Sequence, residues 1–237
     1  MSTIPKIPPE KMSSEEKYDY IFSAKRFEWI DHALMGDIQT FVDGIKHNYF
    51  PQRQFLSTDF PRGGGNLALP VLVCTSLELI SALYTGCNNA TENVKKFIIE
   101  YLPGFYKEFP LIFWHGVRNG ITHKFYPNSF QYKDKTINFN FVIEDPIGDP
   151  NVKSNIASKG TIITIRLNSF ELVRILRDSI QKYKIDLQKS DDLQIKFIRI
   201  FQSLENFQNF NKAQSSEAEK IVNILTSKNP LYFEDYK

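Results

Sequence analysis

The sequence has few cysteines, and this scarcity excludes two classes of protein. Its 237 residues include two cysteines, Cys74 and Cys87. Two thiols cannot build the disulfide framework of a small secreted protein, and no Cys/His cluster has the spacing of a zinc site. Cys74 lies in an apolar run and is interpreted as a small core residue. We therefore expect no metal centre, and no cofactor is predicted.

The sequence also leads us to expect neither a membrane span nor a secretory leader. Residues 1–16 are rich in Pro, Lys, Ser and Glu without an apolar stretch, which is not the composition of a signal peptide. The longest apolar run, residues 67–84, contains Thr75 and Glu78 and is too short and too polar for a membrane span. These absences predict a soluble, cytoplasmic protein with no membrane partner.

A strong charge of either sign is missing as well. The 29 Lys and Arg residues nearly balance the 27 Asp and Glu residues, giving a formal net charge of +2. Such a balance gives no global attraction to nucleic acid, so any contact with RNA or DNA must be local. The 42% of hydrophobic residues and 24% of charged residues are typical of a folded chain that can bury a core.

What is present in the N-terminal half is the pattern of a helical bundle. Residues 1–12 are interpreted as a flexible tail, and the capping box of Ser13 and Glu16 predicts a helix that ends at about residue 48. Further helices are predicted at residues 67–84, 88–102 and 111–125. The helix at 67–84 is apolar nearly all round, so we expect it to be buried at the centre, with Glu78 paired to a cation or to tyrosine hydroxyls.

A short region of alternating apolar and polar residues follows. Residues 130–132 and 136–143 predict a β-hairpin, residues 144–159 a loop and residues 160–167 a third strand. Helices are then predicted from Asn168 or Ser169 to about residue 185, at residues 193–210 and at about residues 216–226. The predicted fold class is mainly α: a helical bundle of about six to seven helices with a small antiparallel β-hairpin or three-strand insertion.

The predicted helix at 111–125 carries a stripe of polar side chains. The stripe consists of His115, Arg118, Asn119, Thr122 and His123, which fall within an arc of roughly 140°. The apolar residues of this helix, Trp114, Val117 and Ile121, lie on another side and are expected to face the core. Gly116 and Gly120 sit beside the stripe, and each costs about 1 kcal/mol relative to alanine. Their spacing suggests that another backbone or a ligand comes very close to this helix.

The residue types of the stripe suit RNA cleavage without a metal. Histidine exchanges a proton near neutral pH, and asparagine can orient an imidazole or hold a substrate oxygen. The arginine fork suits a phosphate and stabilises charge that develops on it. Because Arg118 and His123 are five apart, their side chains diverge by roughly 140° on a straight helix. Fraying near Pro127, or a second copy of the helix from another subunit, would bring the two groups together.

The pattern Arg118-Asn119-x-x-x-His123 resembles the Arg-x(4–6)-His motif of the HEPN superfamily, in which a polar residue often follows the arginine. The resemblance covers about residues 14–125. It implies a helical bundle, a homodimer that brings two motifs together across a cleft, and metal-independent endoribonuclease activity in toxin–antitoxin, phage-defence or RNA-processing systems. It further implies that Arg118 contacts the phosphate, Asn119 gives polar support and His123 transfers a proton. His115 and Thr122 lie outside the motif and are added as supporting residues from the stripe alone.

The resemblance also suggests a division of the chain. After the tail of residues 1–12, residues 13–127 would form the HEPN-like bundle core, residues 128–167 a β insertion, and residues 168–237 C-terminal helices packed on the same domain. The insertion and the C-terminal helices lie outside the minimal family pattern.

Other interpretations of the same residues remain open. His123 can be a helix-end imidazole stabilised by the helix dipole, and Arg118 can form a surface or interface salt bridge. Under these interpretations the protein is a non-catalytic module that dimerises or binds RNA, a nucleotide, an antitoxin or another protein partner.

Overall fold

The computed structural model describes residues 7–49, 67–121, 127–143 and 154–204. The predicted site residues Thr122 and His123 lie outside these ranges, as does the predicted helix at residues 216–226. The chain divides into two compact units, residues 1–201 and residues 202–237, and nearly all the described residues belong to the first. The described residues are mainly helical with a small β-sheet, which confirms the predicted fold class.

The predicted first helix forms, but it is interrupted. Its capping box is present, because the Ser13 hydroxyl accepts from the Glu16 N–H at 3.1 Å and the Glu16 carboxylate accepts from the Ser13 N–H at 2.7 Å. A break follows at Lys25, whose φ of 57° is left-handed. The segments in chain order are α1 (Ser14–Tyr18), a π turn (Asp19–Ser23), α2 (Arg26–Asp31), a π turn (His32–Gly36), α3 (Asp37–Gly44) and a π turn (Ile45–Tyr49).

These π turns shift the buried stripe of the first helical stretch. Ile30, Ile38 and Ile45 are buried, as their spacing predicts. Phe41 belongs to the same predicted stripe but is 37% exposed, and Val42 is buried in its place. A π turn takes up more residues per turn than an α-helix, so the face toward the core moves along the sequence.

Helix α4 (Ala68–Thr85) lies close to its predicted bounds. Gly86 ends it in the left-handed conformation, donating its N–H to the Ala82 carbonyl at 2.8 Å. Among the described residues, α4 is the one helix that is long and apolar enough to cross a membrane, so the prediction that this run is too short and too polar for a span is wrong by length and composition. The core helix of a soluble protein has the same composition, and half of α4 is buried within the structure.

Three helices lead to the polar stripe. They are α5 (Ala90–Tyr101), α6 (Gly104–Glu108) and α7 (Pro110–Trp114), of which α6 was not predicted. Asn89 caps α5, its side chain accepting from the Glu92 N–H at 3.5 Å. Helix α7 begins at Pro110 as predicted and continues as a π turn, His115–Asn119, and the last described residues of this segment, 120 and 121, are still helical.

The β region forms a sheet in the spatial order β1-β2-β4-β3. Its strands are β1 (Phe130–Tyr132), β2 (Lys135–Val142), β3 (Asn155–Lys159) and β4 (Ile162–Asn168). The outer pairs, β1 with β2 and β3 with β4, are antiparallel, and the central pair of β2 with β4 is parallel. The sheet therefore has one more strand than predicted, at residues 155–159 of the predicted loop, and it is mixed rather than antiparallel.

The burial of the strands explains this arrangement. Strand β4 carries the buried Ile165 and Leu167, whereas all residues of β3 are exposed. Because β4 has the apolar side chains, it takes the central position beside β2, and β3 is left at the edge. The sequence of β3 has one large apolar residue and no clear alternation, so its pattern resembled a loop.

Two helices follow the sheet, α8 (Ser169–Lys189) and α9 (Asp191–Leu204). Asn168 caps α8 as predicted, its side chain accepting from the Phe170 N–H at 3.0 Å. Tyr183 of α8 lies in an aromatic cluster that joins α2, α4 and α5 to α8. The rings around it are those of Phe27, Tyr84, Phe97 and Tyr101, with centroids 5.8 to 6.3 Å from that of Tyr183.

Candidate functional site

The π turn after α7 divides into an apolar side and a polar side. Trp114, Val117 and Ile121 are at most 2% exposed and anchor the helix in the core, which confirms the predicted apolar side. His115, Arg118 and Asn119 are partly buried, so they lie at the boundary between the core and solvent. π turns are frequent at functional sites, but the same winding recurs elsewhere in this chain and carries little weight alone.

Gly116 allows the sheet to approach this helix closely. A Cβ atom at Gly116 would lie 2.1 Å from a ring carbon of Phe139 on β2, far inside contact distance. The spacing of the glycines predicted a close approach by a backbone or a ligand, and at Gly116 the approaching group is an aromatic side chain. This contact sets the distance between the π turn and β2.

Arg118 forms an ion pair with Glu78 of the central helix α4. Its Nε donates to the Glu78 Oε1 at 2.8 Å, and the two side chains are 28% and 32% exposed. The prediction that Glu78 pairs with a cation is confirmed, but nothing in the sequence pattern identified Arg118 as that cation. Neither side chain is sealed within the core, so solvent reaches both partners of the pair.

Asn119 continues the hydrogen-bonded chain from Arg118 to His115. Arg118 Nη1 donates to the Asn119 Oδ1 at 3.2 Å, and the Asn119 Nδ2 lies 2.9 Å from the His115 Nδ1. A guanidinium can only donate, so the oxygen of the amide must face Arg118 and its nitrogen must face His115. Because that nitrogen also only donates, the His115 Nδ1 must accept, which places the proton of the neutral ring on Nε2.

Asn128 holds the polar side of the turn from the segment that leads into β1. Its side-chain Nδ2 donates to the His115 carbonyl at 3.0 Å, and its backbone N–H donates to the Gly116 carbonyl at 2.9 Å. Sequence reasoning missed Asn128, because a single asparagine after a proline is typical of any turn. Its two bonds fix the backbone that carries His115.

The structure therefore brings together three of the five predicted site residues: His115, Arg118 and Asn119. It adds Glu78 and Asn128, each of which supports one of these three. Thr122 and His123 lie outside the described residues, so the proposed pairing of Arg118 with His123 remains a prediction.

Two further residues, Trp114 and Cys74, lie near the ion pair. The Arg118 guanidinium carbon lies 5.9 Å from the centroid of the Trp114 ring, at the outer range of a cation–π contact. Cys74 lies one turn before Glu78 and is 1% exposed. Burial raises the pKa of the Cys74 thiol, and the charge of Glu78 raises it further while that of Arg118 lowers it. A thiol held in its protonated form is a poor nucleophile, so Cys74 is a packing residue.

Within residues 7–49, 67–121, 127–143 and 154–204, no group of three or more His, Cys, Asp or Glu side chains is placed to hold a metal ion. Comparisons with protein-family models, with curated proteins and with solved structures find no match to this chain. The evidence for the candidate site is therefore its geometry alone. The site consists of a partly exposed guanidinium, a carboxylate that binds it, and an imidazole oriented through one amide.

Proposed function

We propose that this protein is a cytoplasmic, HEPN-like, metal-independent endoribonuclease that uses Arg118 and His123 in the cleft of a homodimer. The observation that carries the proposal is the setting of Arg118, whose guanidinium is partly exposed and held between Glu78 and Asn119. A donor that is fixed before the substrate binds stabilises transition-state charge with little reorganisation.

The proposed reaction needs one proton acceptor, one proton donor and one cation. His123 takes the proton of the 2′-hydroxyl, and the 2′-oxygen forms a bond to the adjacent phosphorus. The bond from phosphorus to the 5′-oxygen breaks, and that oxygen takes a proton from a water molecule as it leaves. Arg118 stabilises the charge on the non-bridging oxygens, and Asn119 supports it. The products carry a 2′,3′-cyclic phosphate and a 5′-hydroxyl.

The remaining polar residues have supporting roles in this proposal. His115 presents its Nε2–H as a hydrogen-bond donor, because Asn119 occupies its Nδ1. Thr122 follows Arg118 by one helical turn in sequence and adds a hydroxyl to the stripe. Glu78 is a positioning residue, since it acts through Arg118.

The experiment is cleavage of a labelled RNA library by the purified full chain, with and without EDTA. We expect cleavage in both conditions, with cyclic phosphate ends, and a loss of at least about 100-fold in Arg118→Ala and in His123→Ala, the usual range for an acid–base group or a fixed cation. The matched controls are Arg174→Ala and His32→Ala, which remove the same side chains from exposed positions on α8 and in the first helical stretch.

Two results would contradict the assignment. One is RNA cleavage that survives both Arg118→Ala and His123→Ala while circular dichroism shows an intact fold. The other is RNA cleavage that is lost equally in the two control variants, because the loss would then not depend on the candidate site.

The Glu78–Arg118 ion pair also favours a second function. A carboxylate at 2.8 Å offsets the charge of the guanidinium and weakens its attraction for a phosphodiester. Under this alternative the protein is a non-catalytic dimerisation or RNA/nucleotide-binding module of a defence or toxin–antitoxin type system. Its partner is then a second copy, RNA, an antitoxin or another protein. RNA that is bound but not cut, with binding weakened in Arg118→Ala, would favour this function over the nuclease.

A further inference from the structure

A second feature, separate from the polar stripe, is a cavity between the sheet and two helices. It has a volume of about 200 Å³ and lies between β3, β4, α6 and α8. An engineered cavity of about 150 Å³ holds benzene, whereas sites for drug-sized ligands start near 300 Å³. The size therefore suits a molecule with one ring or a short chain.

The walls of this cavity are mostly apolar. The apolar side chains that line it include Phe105, Ile156, Ile165, Leu167 and Ile175. Ile165, Leu167 and Ile175 are buried, whereas Ile156 on the edge strand is 54% exposed, so the cavity opens toward β3. An apolar body that entered from that side would replace water along these walls.

One end of the cavity carries a carboxylate. Glu171, in the first turn of α8, accepts a hydrogen bond from the Ser154 N–H through its Oε2 at 2.6 Å. The Ser154 hydroxyl accepts from the Asn168 N–H at 3.0 Å, which ties the start of β3 to the end of β4. Glu171 thus has one oxygen fixed by the backbone, and its position does not depend on a ligand.

The electrostatic effect of Glu171 extends along the cavity wall. Tyr106 of α6 is 4% exposed, and among the described residues its hydroxyl meets no partner at hydrogen-bond geometry. Burial raises the pKa of Tyr106, the nearby Ser154 hydroxyl lowers it, and the charge of Glu171 raises it. Arg166 also borders the cavity, but it alternates with Ile165 and Leu167, so its side chain belongs to the opposite face of the sheet.

We propose that this cavity binds a small organic amine, with its apolar body between the sheet and α8 and its ammonium group paired with Glu171. The carboxylate selects a cationic donor over a neutral or anionic head group, and the volume limits the body to about one ring. The proposal is independent of the nuclease site, because the cavity shares no residue with the polar stripe that follows α7.

The experiment titrates the full-length protein with three probes of similar size: benzylamine, benzyl alcohol and benzoate. Binding is followed by changes in the amide NMR spectrum. We expect saturable binding of benzylamine with a Kd of about 1 mM, the range for a ligand of so few atoms. Benzyl alcohol should bind at least about tenfold more weakly, since it loses the charge-assisted bond, and benzoate should not bind.

Three variants locate the binding. Glu171→Gln keeps an acceptor for the Ser154 N–H and should remove the preference for the amine over the alcohol. Ile175→Phe fills the cavity and should remove binding of both. Asp178→Asn deletes a carboxylate from an exposed position on the same helix, where it lies 3.5 Å from Arg174, and should change nothing.

Several outcomes would overturn the proposal. They are the absence of saturable binding of benzylamine, equal affinity for the amine and the alcohol, and an unchanged preference in Glu171→Gln. Equal effects of Asp178→Asn and Glu171→Gln would also overturn it, because the amine would then bind through general charge. If Ile175→Phe does not fold, the comparison of Glu171→Gln with Asp178→Asn still tests whether the amine binds at Glu171.

Discussion

At the scale of single residues, a chain of hydrogen bonds from Glu78 through Arg118 and Asn119 determines which ring nitrogen of His115 carries the proton. Glu78 holds Arg118, Arg118 orients the Asn119 amide, and the amide nitrogen leaves the His115 Nδ1 as an acceptor. Each step follows from which groups can only donate. The chain of bonds therefore predicts a protonation pattern, which can be measured without knowing the activity.

We expect the neutral His115 ring to carry its proton on Nε2, observable in a long-range ¹H–¹⁵N correlation spectrum of the histidine side chains. In Asn119→Asp both side-chain oxygens accept, so the proton of His115 should move to Nδ1. His32, which is exposed on the first helical stretch, is the internal control and should keep its signals. A proton on Nδ1 in the wild-type protein would mean that the amide faces the other way and that Arg118 does not bind it.

The Glu78–Arg118 pair also makes a prediction about stability. Because both side chains are about one-third exposed, solvent screening limits the contribution of the pair. We expect Glu78→Ala to lower the free energy of unfolding by about 1–2 kcal/mol, and Glu78→Gln by less than about 1 kcal/mol, since the amide oxygen still accepts from Arg118. Urea denaturation measures both values.

The control for this pair is Asp192→Asn, which breaks the exposed ion pair of Asp192 and Lys196 on α9 at 2.5 Å. It should change the free energy of unfolding by less than about 0.5 kcal/mol. A Glu78→Ala variant that costs no more than this control would show that Arg118 is held by other contacts.

Individual residues also show which features of the site could be predicted from the sequence. The helical period placed Trp114, Val117 and Ile121 in the core and His115, Arg118 and Asn119 on the polar side, and both predictions are confirmed. The partner of Arg118 could not be predicted, because Glu78 is 40 residues away in the sequence and only the packing of α4 against the π turn after α7 joins them. Asn128 was missed because a single asparagine after a proline is typical of any turn, and its bonds to the His115 and Gly116 carbonyls exist only in the folded chain.

At the scale of elements, local departures from regular winding account for most differences from the sequence-based prediction. The period of an α-helix predicted Phe41 in the core, but the π turns move the buried face and leave it partly exposed. The break at Lys25 has no glycine or proline to signal it. The edge strand β3 was assigned to a loop, because edge strands lack the buried alternation that identifies a strand.

The contact between the site-bearing helix and the sheet can be tested through one glycine. We expect Gly116→Ala to lower the free energy of unfolding by about 2–3 kcal/mol, because the new Cβ would lie 2.1 Å from the Phe139 ring and neither element can move freely. A smaller partner should relieve the clash, so Gly116→Ala/Phe139→Leu should be less destabilised than the sum of its single changes. Chemical denaturation of all the variants gives the coupling.

Gly44 is the matched control for this test. It lies at the end of α3, and a Cβ there would meet nothing within 4 Å. Gly44→Ala should therefore stabilise the protein by about 0.5–1 kcal/mol, as expected for an unobstructed helix position. If Gly116→Ala behaves like Gly44→Ala, the helix and the sheet are not in the close contact on which the position of the site depends.

At the scale of the whole molecule, the fold class was predictable and the assembly was not. Helical periods, caps and a short alternating region are local signals, and together they specified a mainly helical chain with a small sheet. The parallel pairing of β2 with β4 depends on how a hairpin docks onto a distant strand, which no local pattern encodes. Association of two chains depends even less on local sequence patterns, so it could not be predicted from them.

The proposed dimer predicts that two inactive variants restore activity when they are combined, which a monomeric enzyme cannot do. Arg118 and His123 are five positions apart, so on a straight helix they diverge by roughly 140° and do not meet at one phosphate. If a cleft combines Arg118 of one subunit with His123 of the other, a mixed dimer of Arg118→Ala and His123→Ala chains retains one intact combination. Co-refolding the two inactive variants should therefore restore RNA cleavage, to at most about one quarter of the wild-type rate per chain for random pairing with one intact site of two.

The controls distinguish complementation between two chains from residual activity of the single variants. Each variant refolded alone must stay inactive, and a double variant carrying Arg118→Ala and His123→Ala must not restore activity to either single variant. Restored cleavage only in the mixture would place the two groups on different chains. An inactive mixture, in preparations that light scattering shows to be dimeric, would mean that both groups act within one chain, and the helix would then have to depart from straight winding beyond Asn119 to bring them together.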